Sequence, residues 1–120
     1  MKRILIIEDT EDNRQIMRDL LTHAGYDLLE AVDGAEGVAQ AKRHRPDLIL
    51  MDIQLPVLDG FEATRRIKAD PDLASIPIIA VTSYALSGDD TKTRAAGCDG
   101  YIAKPFSPRQ LLAAVNGFLA

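Results

Sequence analysis

The sequence predicts an open, doubly wound α/β fold, with a five-stranded parallel sheet and helices on both of its faces. Short β-branched runs alternate five times with longer segments of helical periodicity along the 120 residues. Three of the runs, ILII, LILM and IPIIAV, are continuously apolar, which is typical of parallel strands covered on both sides. Five βα units are too few to close an eight-stranded barrel, so the sheet is expected to stay open.

The five strands are expected where apolar and β-branched residues cluster and polar or turn-forming residues follow. They cover residues 4–7, 27–31, 48–51, 76–81 and 101–103. Because a helical segment follows each strand, the crossovers between parallel strands should be right-handed.

Three pairs of residues with the spacing of a capping box, or a close variant of it, predict where helices begin. The pairs are Asp33 with Glu36, Asp59 with Glu62, and Ser107 with Gln110. Pro108 suits the first turn of the last helix because its missing N–H would have no partner there. Gly25 follows the apolar stripe of the first helix, at a position where a left-handed cap is favoured.

The length and composition predict one globular domain over residues 1–120, and we expect no output domain beside it. Hydrophobic residues make up 47% of the chain and charged residues 27%, which is too apolar for a disordered segment. The 14 basic and 18 acidic residues give a formal charge of −4. This charge opposes binding to nucleic acid or to an anionic membrane surface.

The chain also lacks the features of an exported or membrane-spanning protein. Its first apolar run ends after four residues at Glu8, which is too short for a secretory signal. No apolar stretch approaches the roughly 18 residues of a membrane span. Cys98 is the single cysteine, so an internal disulfide is excluded and a cytoplasmic location is expected.

Polar residues follow the strands at the edge where ligands bind in open α/β sheets. The first strand is followed by Glu8 and Asp9, the third by Asp52 and the fourth by Thr82, while the fifth leads to Lys104. Two carboxylates about 4 Å apart repel by roughly 1 kcal/mol in water and about 4 kcal/mol at an effective dielectric of 20. A hard divalent cation would relieve this repulsion. Oxygen-only ligands favour Mg²⁺, and Mn²⁺ can replace it, whereas zinc prefers histidine or cysteine.

Each of these residues also has an ordinary explanation. Acidic residues often follow strands because loops are polar, and Lys104 could serve only as a counter-ion for the carboxylates. Taken together, however, a lysine, a hydroxyl and a metal are the parts needed to hold a three-oxygen anion such as a phosphoryl group.

Four stretches carry these residues and extend over essentially the whole chain. They are ILIIEDTEDN at the first strand, PDLILMDIQLPVLDG around Asp52, IPIIAVTSYA with Thr82, and GYIAKPFS with Tyr101, Lys104 and Pro105. Together they resemble the receiver domain of two-component response regulators. The resemblance implies a flavodoxin-like receiver fold with the strand order 2-1-3-4-5.

The resemblance also implies a role for each matching residue. Asp52 would be the phosphoacceptor, which attacks the phosphorus of a phosphohistidine on a partner. Glu8, Asp9, Asp52 and the main-chain carbonyl of Gln54 would hold Mg²⁺. Lys104 would pair with the phosphoryl oxygens. Many receivers have aspartate at the position of Glu8, so the longer side chain is expected to reach the ion differently.

Further residues would link phosphorylation to a change of surface. The hydroxyl of Thr82 would turn toward the phosphoryl group and leave space for Tyr101, which alters the face formed by the helix before the fifth strand, that strand and the last helix. Gln54 and Tyr84 correspond to positions that modulate access to the phosphoryl group, and a bulky Tyr84 suggests restricted entry of water. The bond before Pro105 is expected to be cis.

The strings MDIQLP and AGCDGYIAKPFS resemble the DivK-type single-domain regulators of the bacterial cell cycle. Such a protein is a phosphoacceptor that catalyses only its own phosphorylation and dephosphorylation, and is not an enzyme with a separate substrate. The implied partners are a histidine kinase, a histidine phosphotransfer protein, or a kinase that is regulated allosterically. The first helix, beside the acceptor, is the expected docking face.

Other classes with similar topology fit the residues less well. A phosphatase of the haloacid dehalogenase type needs a second aspartate two residues after its nucleophile, where this chain has Gln54. A flavin or nucleotide binder needs a first loop rich in Gly, Ser or Thr, whereas EDTED would repel a phosphate. A receiver that is not phosphorylated and serves only as a docking module would have the same fold, so that alternative stays open.

Overall fold

The structure is a computed structural model, and it describes residues 2–82 and 94–119. Its elements in chain order are β1 (Arg3–Ile7), α1 (Glu11–His23), β2 (Asp27–Ala31), α2 (Gly34–His44), β3 (Leu48–Asp52), α3 (Gly60–Ala69), β4 (Ile78–Thr82), β5 (Gly100–Ala103) and α4 (Pro108–Leu119). All five strands are parallel and form one sheet in the order β2-β1-β3-β4-β5. The predicted fold class and strand order are therefore confirmed. The helical segment predicted between β4 and β5 lies largely outside the described residues, as does Tyr84.

Side chains of the central strands alternate between two cores, one on each face of the sheet. On β1, Leu5 and Ile7 pack toward α2 and α3, whereas Ile4 and Ile6 pack toward α1 and α4. All four side chains are fully buried. This double burial explains why the strands read as continuous apolar runs.

The capping residues bind as their spacing predicts. Asp33 accepts a hydrogen bond from the Glu36 N–H at 2.7 Å, and Asp59 accepts one from the Glu62 N–H at 2.9 Å. At the start of α4, the Gln110 N–H donates to the Ser107 hydroxyl at 3.1 Å and the Ser107 N–H donates to the Gln110 side chain at 2.8 Å. These bonds satisfy N–H groups that a helix start leaves unpaired.

The predicted start of the fourth strand at residue 76 is wrong, because β4 begins at Ile78 and ends at Thr82. The Ile76 N–H donates to the Leu73 carbonyl within the preceding turn at 3.0 Å, and Pro77 has no N–H to donate. The Pro77 carbonyl does accept a hydrogen bond from the Ile49 N–H of β3 at 3.0 Å, but the paired residues of β4 begin at Ile78. Ile76 still lies in the core, where it packs on the α2 and α3 side of the sheet.

The loop after β3 lies tightly against the starts of α2 and α3. A Cβ atom added to Gly60 would lie 2.4 Å from the Asp52 carbonyl oxygen, and one added to Gly34 would lie 1.9 Å from the Leu58 carbonyl oxygen. No side chain fits at these two contacts. Because these two positions are glycine, the starts of α2 and α3 can lie directly against the chain that runs from Asp52 through the loop after β3.

None of the helices in the described part of the chain combines the length and the apolar character needed to cross a membrane.

Val57 in the same loop adopts a backbone conformation that is unfavourable for its residue type. Its φ is +68° and its side chain is 83% exposed, so the valine has little packing to offset the strain. The left-handed region disfavours residues with a Cβ by about 1 to 2 kcal/mol, and branching at Cβ makes it worse. Val57→Gly should therefore raise the free energy of unfolding by about 1 kcal/mol, measured by urea denaturation.

Val32→Gly is the matched control. Val32 is also an exposed valine in a loop at this edge of the sheet, but it has no positive φ. The control should lose stability because glycine only adds freedom to the unfolded chain. Equal losses in the two variants would contradict the assignment of strain to Val57.

Candidate functional site

Three carboxylates meet at the carboxyl edge of the sheet. Glu8 and Asp9 follow β1, and Asp52 ends the neighbouring strand β3. One oxygen from each side chain lies within 4.8 Å of the others. Glu8 is 1% exposed and Asp52 is 5% exposed, whereas Asp9 faces solvent. We call these three residues the carboxylate cluster.

Lys104, which directly follows the edge strand β5, brings a positive charge to the carboxylate cluster. Its Nζ lies 3.2 Å from Glu8 Oε2 and 3.5 Å from Asp52 Oδ2. Its backbone N–H donates to the Thr82 carbonyl at 2.8 Å, which fixes the chain where it leaves β5. The following bond, Lys104–Pro105, is cis. In the described part of the chain, Lys104 is the one cation within ion-pair distance of both buried carboxylates.

Thr82 and Tyr101 lie on the neighbouring strands. Thr82 ends β4 and is 2% exposed, and the β3–β4 register places it one residue beyond the partner of Asp52. Tyr101 is 42% exposed on β5, two residues before Ala103, which pairs with Thr82. The structure therefore places Thr82 at the edge with the carboxylates and Tyr101 further back along the sheet.

Glu8 is held by more partners than the sequence indicated. Its Oε1 accepts hydrogen bonds from the Thr10 N–H at 3.2 Å and from Asn13 Nδ2 at 3.4 Å, while Oε2 faces Lys104. Its main-chain carbonyl accepts a hydrogen bond from Arg14 Nη1 at 2.8 Å. Sequence reasoning missed Asn13 and Arg14.

A signal for Arg14 was present in the sequence. Arg14, Met17 and Leu21 are the buried residues of α1, and they lie three and four residues apart, on the face of the helix that meets the sheet. A charged residue on such a stripe needs a partner, because an unpaired buried charge is strongly unfavourable.

The electrostatics of the site reflect crowded negative charge. Burial, together with the hydrogen bond and the charge of Glu8, raises the pKa of Asp52 to about 7. Burial alone would raise the pKa of Glu8 as well, but the hydrogen bond with Asp52 and the charge of Lys104 lower it overall. Near neutral pH, therefore, one ammonium group does not fully compensate the two buried carboxylates.

The donor set of the cluster matches a hard divalent cation. All three side chains offer oxygen, and no nitrogen or sulfur ligand joins them among the residues that the structure describes. The Gln54 N–H donates to Asp52 Oδ1 at 3.1 Å, which orients that carboxylate. Mg²⁺ prefers a few carboxylates and keeps some of its water, so the residues present fit this ion.

A groove with mostly apolar walls lies beside the cluster, between α1 and the chain that follows β5. It has a volume of about 510 Å³ and is lined by Asn13, Ile16, Met17, Lys104, Pro105 and Phe106. Ile16 is 53% exposed. We call these six residues the α1 groove, and Lys104 belongs to both the groove and the site.

Comparisons with known proteins identify the family of this chain. Residues 4–116 match the response regulator receiver domain family. The polar-differentiation response regulator DivK of Brucella anthropi is 43% identical over 118 residues, which cover 98% of this chain and 96% of that protein. DivK of Brucella ovis is 42% identical with the same coverage. The chain belongs to the response regulator receiver domain family, and the predicted likeness to DivK regulators is confirmed.

Two solved structures share the fold. The receiver domain of sensor histidine kinase PA1611 from Pseudomonas aeruginosa PAO1 is 40% identical, has a TM-score of 0.93, and is matched over 98% of this chain and 97% of that chain; its crystal structure has a magnesium ion coordinated in the active site cleft. Chemotaxis protein CheY4 of Vibrio cholerae is 30% identical, also has a TM-score of 0.93, and is matched over 98% of both chains.

The raised pKa of Asp52 makes stability depend on pH when no divalent ion is present. The folded state holds a proton on Asp52 more tightly than the unfolded chain, where the pKa is near its ordinary value of 3.8. The resulting stabilisation is complete below that value and is lost as pH rises through about 7. Glu8, with a lowered pKa, contributes in the opposite sense below its ordinary value of 4.5. In the presence of a chelator, the urea concentration at which half of the protein is unfolded should decrease as the pH is raised from about 5 to about 7.

Asp52→Asn is the control for this pH dependence. The variant keeps the size of the side chain but cannot titrate, so its urea midpoint should change less over the same range. The two proteins share every other titratable residue, so the comparison isolates the contribution of Asp52. An identical slope in the two proteins would contradict the assignment to Asp52.

Proposed function

We propose that this receiver accepts a phosphoryl group on the Asp52 carboxylate in a reaction that requires Mg²⁺. The observation that carries the proposal is the position of a buried Asp52 carboxylate 3.5 Å from Lys104 Nζ, with two further carboxylates within 4.8 Å. A cation and a dense group of acids beside one potential nucleophile are the parts that phosphoryl transfer needs.

In the transfer, an oxygen of Asp52 forms a bond to phosphorus while the bond from phosphorus to the donor histidine nitrogen breaks. The phosphoryl group thus moves from histidine to aspartate, the electron pair of the broken bond stays on the histidine nitrogen, and the donor is left as a neutral imidazole when its other ring nitrogen carries a proton. Asp52 must be ionised to attack, and its raised pKa opposes this in the absence of a second cation. The Gln54 N–H orients the attacking carboxylate through its bond to Oδ1.

The metal would be held by Glu8, Asp9, Asp52 and the main-chain carbonyl of Gln54. When bound, Mg²⁺ supplies positive charge that offsets the carboxylates and the transferred phosphoryl oxygens. Mn²⁺ has the same preference for oxygen and would serve as a substitute. Glu8 already forms an ion pair with Lys104. Its carboxylate would bind the ion either with this ion pair intact or after the ion pair breaks.

Lys104 and Thr82 would hold the phosphoryl group after transfer. Lys104 Nζ is close enough to Asp52 to pair with an added phosphoryl oxygen, and the Thr82 hydroxyl would donate to another. We expect Tyr101 to shift when Thr82 turns, which would change the surface beside β5 and α4. Gln54 and Tyr84 would modulate access to the phosphoryl group. Partners would read the phosphorylated state from this change.

The α1 groove would receive the phosphodonor. A histidine on the surface of a kinase or a phosphotransfer protein must come within bonding distance of Asp52, and the groove with its exposed Ile16 lies directly beside the site. Such an apolar surface, rimmed by polar residues, is typical of a protein interface. A kinase regulated allosterically is a further expected partner. The lone Cys98 and the chemistry of the family support a cytoplasmic location.

Phosphorylation at Asp52 can be tested directly by intact mass. With Mg²⁺ and acetyl phosphate, the wild-type protein should gain the mass of one phosphoryl group, and Asp52→Asn should gain none. Chelation of Mg²⁺ should prevent the gain in the wild type. Asp59→Asn is the matched control, because Asp59 is exposed and asparagine caps a helix as well as aspartate does.

A folded wild-type protein that gains no phosphoryl group from acetyl phosphate or from a phosphorylated histidine protein would contradict the proposal. That result would favour a receiver that only docks. Loss of the adduct in Asp59→Asn as well would show that the assignment to Asp52 is not specific.

The role of the α1 groove can be separated from the chemistry. Ile16→Ala should slow transfer from a phosphorylated histidine phosphotransfer protein about tenfold, because it removes an exposed anchor from the interface. The same variant should react with acetyl phosphate at the wild-type rate, since that small donor needs no docking surface. Phe118→Ala, which removes a 43% exposed side chain from α4, is the control. Equal effects of Ile16→Ala with both donors would contradict a docking role.

A further inference from the structure

Arg14 is a buried cation that contacts the main chain of Glu8, one of the site residues. It is 9% exposed, and its Nη1 donates to the Glu8 carbonyl oxygen at 2.8 Å. The same guanidinium pairs with Glu11 through Nη2 and lies 3.4 Å from Glu30 through Nε. Arg14 therefore joins the end of β1 to the first turn of α1 and to β2.

The Glu8 peptide group is fixed on both sides by this arrangement. Its N–H donates to the Ala31 carbonyl of β2 at 3.1 Å, and its carbonyl accepts from Arg14. With the backbone held, the Glu8 side chain is directed to the Thr10 N–H on one oxygen and to Lys104 on the other. The position of the Glu8 carboxylate thus depends on a contact made by its own main chain.

Arg18 provides a comparison within the same helix. It pairs with Glu11 at 3.2 Å and with Glu30 at 2.8 Å, so both arginines share the same two acidic partners. Of the two, only Arg14 donates to Glu8. The pair therefore separates the effect of local charge from the effect of holding the Glu8 backbone.

We propose that Arg14 is a positioning residue for the divalent cation, which it serves by fixing the turn that presents Glu8 and Asp9. The inference rests on the proposed function, because it assumes that the carboxylate cluster binds Mg²⁺. The side-chain contacts of Arg14 are with the Glu8 carbonyl, Glu11 and Glu30, so it is not itself assigned as a ligand of the ion. It acts through the Glu8 main chain, as outer partners of metal ligands commonly do.

Charge and position predict opposite effects of removing Arg14. A guanidinium near the site repels a cation, so by Coulomb's law alone its loss should tighten Mg²⁺ binding. If Arg14 instead holds the turn in place, its loss should weaken binding despite the removal of a positive charge. The direction of the change therefore distinguishes the two.

The experiment is a calorimetric titration of Mg²⁺ into the full chain. Arg14→Gln should raise the dissociation constant for Mg²⁺ about tenfold, and Arg14→Lys should also raise it, because lysine keeps the charge but lacks the guanidinium fork. Arg18→Gln should leave the dissociation constant unchanged or lower it. Binding by Arg14→Gln that is as tight as wild type, or tighter, would overturn the proposal.

Two further measurements keep the outcomes separate. Thermal unfolding in the presence of a chelator shows whether each variant folds. If Arg14→Gln does not fold, the dissociation constant of Arg14→Lys for Mg²⁺ tests the proposal instead. Asp9→Asn tests the metal site itself and should weaken Mg²⁺ binding. No binding by the wild type, or no effect of Asp9→Asn, would contradict the proposed function. In another outcome, the wild type binds Mg²⁺, Asp9→Asn binds it more weakly, and both Arg14 variants bind it as tightly as the wild type. This outcome would contradict only the role of Arg14.

Discussion

Two buried carboxylates, Glu8 and Asp52, share one edge of the sheet, and their mutual repulsion governs the arrangement around them. Folding brings them together because β1 and β3 are adjacent parallel strands that end at the same level. Lys104, which approaches from β5, offsets part of this charge, and the raised pKa of Asp52 reflects the part that is left. A site of this kind stays unfavourable until a further cation enters, and that imbalance favours binding of a divalent ion.

Much of the fold could be predicted from the sequence because its determinants are local. Asp33 and Asp59 cap the helices that their spacing predicts, and the LILM run forms a strand buried on both faces. The start of β4 could not be predicted from apolar character alone. Ile76 is as hydrophobic as its neighbours, but its N–H donates within a turn and Pro77 has no N–H, so residue pairing with β3 begins at Ile78.

The site residues that lie at the ends of strands could be predicted from the sequence. The rule that ligands bind at the carboxyl edge of a parallel sheet brings Glu8, Asp52 and Lys104 together without knowledge of any distance. It does not reveal what holds each side chain. The contact of Arg14 with the Glu8 carbonyl joins a helix to the end of a strand, and such a contact depends on how the two elements pack.

Glutamate at position 8 suits these contacts better than a shorter acid would. One oxygen of Glu8 accepts from the Thr10 N–H and from Asn13, while the other accepts from Lys104, which follows β5. Aspartate lacks one methylene, and its carboxylate would have to give up one of these partners or shift the turn. Because Arg14 fixes the backbone of that turn, the extra length of the side chain is what allows Glu8 to span the gap. The glutamate at position 8 and the hydrogen bond from Arg14 to its main-chain carbonyl are therefore parts of one arrangement.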